Sequence, residues 1–137
     1  MPPIVVDANV LISAFLGDGA TRELILDADL DLWTPPWLWE ELAARYAWLQ
    51  SRTGLPTAGL DALLRQLKER IIDVPVEAIE LHRDEALRRV GARSRKDAPY
   101  VAATLAVDGV LWTHDKRLVN AARVPTTTTA DLLNRVG

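Results

Sequence analysis

The sequence predicts an α/β fold in which helices cover both faces of a central parallel β-sheet, a three-layer sandwich. Three features carry that expectation. Short apolar runs alternate with longer amphipathic stretches along the whole chain. The first run, Pro3-Ile4-Val5-Val6-Asp7, is β-branched and apolar without alternation, which is how a strand buried on both faces reads. The composition, 49% hydrophobic and 26% charged over 137 residues, is that of an ordinary globular chain. A chain of this size buries roughly two-thirds of its unfolded surface, so it can hold a core unaided. At about 150 residues per domain, residues 1–137 read as a single domain.

The elements follow in order. After the strand over 3–7, residues 8–16 read as a helix that Gly17-Asp18-Gly19 interrupts. Thr21 caps a second helix with Leu24, Ile25 and Ala28 as its stripe. Leu30-Asp31-Leu32-Trp33 alternates as a short strand, and Thr34-Pro35-Pro36 opens a long helix to about Ser51. Gly54-Leu55-Pro56 is a break before a helix from Thr57 to about Arg70, and Ile71-Ile72-Asp73-Val74 is a strand stopped by Pro75. A helix from about Val76 to Val90 ends at Gly91. Ser94 caps the next, with Asp97 in its first turn and Tyr100, Val101, Thr104 and Leu105 as its stripe, and Gly109 ends it. Val110-Leu111-Trp112-Thr113 is a strand, Asp115 begins a short helix to Ala122, Val124–Thr127 is the last strand, and Thr129 caps the terminal helix.

Composition narrows the function. Without cysteine there are no disulfides, thiolate zinc sites or thiol nucleophiles, which fits a reducing cytoplasm. No apolar run reaches the length of a membrane span, and the start has no signal-peptide pattern. The net charge of −3 argues against nucleic-acid binding by bulk charge, but not against a site whose carboxylates gather round a metal ion.

The placement of the carboxylates is therefore informative. In an open α/β sheet the ligand site lies outside the carboxyl ends of the strands. Asp7 ends the first strand, and Asp115 follows the fourth by two residues. Asp97 opens the helix that leads into the fourth strand, and Glu41 lies one turn inside the helix after the second, with Glu40 an equal rival by position. Four carboxylates from four segments can point into one pocket. Like charges so gathered need a cation, and an all-oxygen set favours Mg²⁺ or Mn²⁺ over zinc. Each acid also suits a plainer role as a helix cap, a first-turn residue or a solvated face, and residue type alone leaves those roles open.

The same segments carry a resemblance to a family. Asp7-Ala8-Asn9-Val10-Leu11-Ile12-Ser13 resembles the opening motif of PIN domains, an acid after the first strand with a small polar residue at plus two. Trp39-Glu40-Glu41-Leu42-Ala43 is similar to their second motif, an acid directly before Leu, which selects Glu41 over Glu40. Lys96-Asp97-Ala98-Pro99-Tyr100-Val101-Ala102 resembles the third, and Leu111-Trp112-Thr113-His114-Asp115 the fourth. The resemblance spans nearly the whole chain. It implies a PIN-like fold and an Mg²⁺-dependent ribonuclease with Asp7, Glu41, Asp97 and Asp115 as catalytic, metal-ligating acids. Small bacterial members are often VapC-type toxins, so it also implies a cytoplasmic toxin paired with an antitoxin protein. The alternative is a PIN-like RNA-binding or RNA-processing domain outside such a pair.

Other residues complete the expectation. Asn9 and Thr113 are placed to support the metal ligands. Arg93, Arg95 and Lys96, just before Asp97, are candidates to hold an RNA backbone. Trp37, Glu41, Ala44 and Trp48 fall on one face of the long helix, a spare aromatic surface that suggests a homodimer or partner contact. A phosphorylation-switched receiver module, also α/β with an acidic pocket, needs an acidic pair after the first strand; here Asp7 is followed by Ala8-Asn9.

Overall fold

The computed structural model describes residues 2–121 and 123–136, apart from the side chains of Arg93, Ser94 and Ala121. Five strands, β1 (Ile4–Val6), β2 (Leu32–Thr34), β3 (Ile71–Asp73), β4 (Val110–Trp112) and β5 (Thr126–Thr127), form one parallel sheet in the order β3-β2-β1-β4-β5. Ile4 pairs with Leu32 on one side and Val110 on the other. β1 is therefore central, and all three of its residues are buried, as its unbroken apolar run requires.

Helices α1 (Ala8–Phe15) and α2 (Gly19–Leu26) connect β1 to β2, and α3 (Leu38–Ala44), α4 (Tyr46–Thr53) and α5 (Thr57–Arg70) connect β2 to β3. Between β3 and β4 come α6 (Val76–Leu81), α7 (Arg83–Val90), a 3-10 helix over Ala92–Asp97, and α8 (Ala98–Val107). Helix α9 (Lys116–Ala121) leads to β5, and α10 (Thr129–Val136) follows it. The helices flank the sheet as the expected three-layer α/β sandwich. Among the described residues, no helix is long and apolar enough to cross a membrane.

The chain winds outward from β1 through β2 to β3, then crosses back to lay β4 on the other side of β1. Strand order reverses at β1/β4, and such a switch point opens a crevice at the carboxyl ends of the strands.

Several local expectations change. The helix expected from 36 to 51 is two helices meeting at Arg45 (φ −104°, ψ 10°), and the one expected from 76 to 90 divides at His82 (φ −107°, ψ 5°). Neither junction contains Gly or Pro, so tertiary packing turns the chain there; at each, the N–H of the junction residue bonds back three residues, to Leu42 and Ile79. Helix α2 is capped by Asp18, not Thr21: Asp18 Oδ1 accepts the Thr21 N–H at 3.2 Å, and the buried Thr21 hydroxyl bonds Asp18 Oδ2 at 2.7 Å. The Thr128 hydroxyl accepts the Asp131 N–H at 3.1 Å and so caps α10, which frees Thr129 to accept the Trp112 indole N–H at 3.1 Å. The cap expected at Ser94 and the end of α9 expected at Ala122 lie outside the described residues.

The single aromatic face does not form. The turn at Arg45 separates Trp37, half-buried against the core, from the exposed Trp48, which Arg45 and Arg52 flank at 5.7 and 5.2 Å. Trp112 is wholly buried in β4, while the Trp33 and Trp39 indoles donate to Asp31 and Asp73.

Helix α8 ends at Asp108 in the left-handed region (φ 51°), and Gly109 then passes directly against the start of β1. A Cβ at 109 would lie 2.3 Å from the Pro3 carbonyl oxygen, a backbone atom that cannot step aside. Gly109→Ala is therefore expected to lower stability by about 2–3 kcal/mol, the cost of overpacking a rigid contact. Urea unfolding should show a lower midpoint at unchanged slope. An unchanged midpoint would mean that the turn and β1 do not approach this closely.

Candidate functional site

Strand β1 delivers Asp7 to the crevice. Its backbone is extended (φ −87°, ψ 169°), and its side chain caps α1, Oδ1 accepting the Val10 N–H at 2.9 Å. Its own N–H donates to the Trp112 carbonyl at 3.3 Å, which ties it to the end of β4. Only 5% of Asp7 is exposed. Asp97 ends the 3-10 helix and stands at the N-terminus of α8 without making a capping bond, so its half-buried carboxylate is left to the crevice. Glu41, exposed on α3, accepts a hydrogen bond from the Tyr100 hydroxyl on α8 at 3.3 Å.

These residues border a cleft of about 430 Å³ whose wall also includes Asn9, Arg45 and Lys96. Three of the four expected carboxylates and one of the two supporting residues thus meet there. Asp115 is not part of the wall. Its Oδ1 accepts the Arg117 N–H at 2.9 Å, and its Oδ2 lies 3.5 Å from the Arg117 guanidinium. It remains near enough for its charge to raise the Asp97 carboxyl. Thr113 is fully buried beside Asp7, and its hydroxyl accepts the Asp115 N–H at 3.1 Å. Arg95 opens onto a neighbouring groove, and the Arg93 side chain lies outside the described residues. Glu40 is exposed and absent from the cleft wall.

The electrostatics follow from this placement. Burial pushes the Asp7 carboxyl above its ordinary value; hydrogen bonding by Thr113 and Val10 and the nearby His114 oppose the shift, and the Asp97 charge adds to it. Burial also raises Asp97, with Lys96 pulling the other way. At Asp115 burial acts upward, but the Arg117 N–H and guanidinium outweigh it and hold the carboxyl low. Burial drives the Tyr100 phenol far up, and the Glu41 and Asp7 charges push it the same way. Tyr100 is therefore a permanent donor to Glu41. Its partnership was not read from the sequence, where it belongs to the apolar stripe of α8. The signal that could have exposed it is its spacing, three residues after Asp97 on one helix face, with a phenol needing a partner when buried.

Among the described residues, no three His, Asp or Glu side chains converge closely enough to enclose one ion. The chemistry of the donors nonetheless fits a hard divalent cation: three carboxylates and the Asn9 amide border the cleft, with no histidine or thiol in its wall among the described residues. Burial is the main cause that raises Asp7, with the Asp97 charge adding to it, and a cation there would favour the charged form of both acids.

A family model described as PIN domain matches residues 5–135. No curated protein matches the chain.

A pH dependence follows from the raised acids. Asp7 and Asp97 both sit above the ordinary 3.8, so the stability associated with their protonated forms is present below that value and is lost as pH rises through the raised values. In EDTA, the double variant Asp7→Asn/Asp97→Asn should gain on the parent in melting temperature from pH 4 upward and melt higher at pH 7; Asn keeps the cap on α1. A gap that does not change with pH, or a variant that melts lower throughout, would make these acids simple caps.

Proposed function

The chain belongs to the PIN domain family, whose members are generally nucleases, and on that premise we propose that it is a divalent-metal-dependent endoribonuclease that hydrolyses RNA phosphodiesters with water as the nucleophile. The observation that carries this reading is the convergence of Asp7, Glu41 and Asp97, from three separate segments, on one cleft at the switch point of the sheet.

Mg²⁺ or Mn²⁺, held mainly by Asp7 and Asp97 with Glu41 on the same cleft wall, would polarise the phosphate and activate water. The chain's own residues prepare the site for that chemistry. The α1 cap bond and Thr113 fix the Asp7 carboxylate. Tyr100 orients Glu41 from across the cleft. Lys96 and Arg45 on the cleft wall bind the anionic backbone, and Asn9 can donate to a phosphate oxygen. Glu41, the exposed acid of the cleft wall, positions the attacking water. Among the described residues the cleft wall carries no serine, threonine, histidine or cysteine, so a covalent intermediate is not part of this reading.

The order of the acids along the chain also suits the narrower role of toxin in a type II toxin–antitoxin pair. Exposed Ile72 on edge strand β3, with Val76 and Leu81 after it, offers apolar surface to a second copy or an antitoxin. An RNA-binding or RNA-processing PIN-like domain outside such a pair would use the same cleft.

Purified protein should cleave single-stranded or looped RNA with Mg²⁺ or Mn²⁺ and stop in EDTA. Asp97→Asn, which keeps side-chain size, should lower the rate by orders of magnitude. Absence of metal-dependent cleavage from a mixed RNA pool would favour a binding-only domain.

Tyr100→Phe keeps the ring and removes the donor to Glu41. Its melting temperature in EDTA should stay close to the parent's, while the rise on adding Mg²⁺ should shrink, because a weaker ligand set stabilises less by mass action. An undiminished rise would show that Glu41 needs no such support.

A further inference from the structure

We propose that a second groove, on the other side of the α8 N-terminus from the acidic cleft, is a nucleotide subsite that takes one RNA base against Trp37 and the adjoining phosphate at Arg83 and Arg95. It rests on the reading that RNA is the ligand of the cleft. The groove encloses about 440 Å³. Its floor is apolar, formed by Trp37, Ile79, Leu87 and Ala102, and Arg83 and Arg95 stand on its border.

Position ties the groove to the cleft. Arg95, Lys96 and Asp97 are consecutive: the first borders the groove, and the other two border the cleft. Trp37 precedes α3, one turn before Glu41, so both depressions are built on the N-terminal ends of α3 and α8. Lys96 on the cleft and Arg95 on the groove are neighbours in the chain, so a backbone held at one is within reach of the other.

The chemistry matches one occupant. An aromatic side chain in an apolar floor, bordered by guanidinium groups, suits a ligand with a flat π-face and an attached anion, as each nucleotide of a single strand is. Glu80 also borders the groove, but it lies 3.8 Å from Arg83 with both side chains more than half exposed. Such a pair is weak in water and readily exchanged for phosphate. The groove beside the cleft adds two cations, Arg83 and Arg95, against one carboxylate, Glu80, where the cleft wall has three carboxylates to two cations.

The test measures binding without cleavage. Fluorescently labelled octamers of A, C, G and U are titrated in EDTA against the parent, Trp37→Leu and Arg83→Ala/Arg95→Ala, with anisotropy as the readout and salt varied. Because Trp37 is half-buried, melting temperatures check its variant, and the exposed arginine pair provides a variant with no packing role. Both variants should bind about tenfold more weakly, Trp37→Leu with less discrimination among the four octamers. The arginine variant should lose about 0.7 of salt slope for each phosphate contact removed. Variants that bind like a parent that binds RNA overturn the subsite and leave the nuclease reading to its own assay. Loss with Trp37→Leu alone, with no change in salt slope for the arginine pair, would assign the groove to an apolar protein segment and overturn the proposal. Weakened binding by both variants in a protein that cuts no RNA would uphold the subsite and remove the nuclease reading. A parent that binds none of the octamers overturns the subsite, and the cleavage assay with Mg²⁺ or Mn²⁺ then decides the nuclease reading separately.

Discussion

A carboxylate buried at the end of the central strand constrains everything around it. Removing Asp7 from water is unfavourable for its charged form, and the fold meets part of that cost with the Val10 N–H, the Thr113 hydroxyl and the nearby His114. Each partner comes from an element that must then keep its place: α1 begins where it does because Asp7 caps it, and the turn after β4 is held by Thr113 through the Asp115 N–H. Asp97, on the crossing from β3 to β4, adds repulsion. Both carboxylates are left above their ordinary values without full compensation, a pattern that clusters at functional sites.

The long excursions on either side of β3 complete the cleft. Between β2 and β3 the chain bends at Arg45, directly after the helix that carries Glu41, and this bend puts Arg45 itself on the cleft wall. Between β3 and β4 it bends at His82 and tightens into a 3-10 helix, which ends at Asp97 and leaves that carboxylate uncommitted to capping. Tyr100 and Glu41 then join the two excursions across the opening. Although the whole chain carries a net charge of −3, the cleft wall includes the cations Arg45 and Lys96, and Arg95 borders the neighbouring groove. Local placement, not the sum of charges, sets affinity for a polyanion.

Much of this arrangement is legible in the residues. The unalternated Ile4-Val5-Val6 announces a strand covered on both faces, and every strand and most helix ends fall close to where apolar runs, prolines and glycines place them. Asp7, Glu41 and Asp97 can be picked out because strand ends and helix first turns are short-range features. Two departures have long-range causes. Asp18 caps α2 although Thr21 is as suitable by type, because Thr21 is drawn into the core and its hydroxyl serves Asp18 and Thr129 instead. The continuous Trp37–Trp48 face fails because nothing local forces the bend at Arg45.

The sequence by itself determined the fold class and the order of the strands, and it marked four acids as candidates for a common site, since these depend on periodicity and on neighbours a few residues away. Only the tertiary structure decided which groups share a space. It turned Asp115 toward Arg117, gave Glu41 a donor in Tyr100, dispersed the tryptophans and set Arg95 in a groove beside the cleft. Those outcomes depend on contacts between residues far apart in the chain, 59 positions apart for Tyr100 and Glu41, and on burial that no single segment can set for itself.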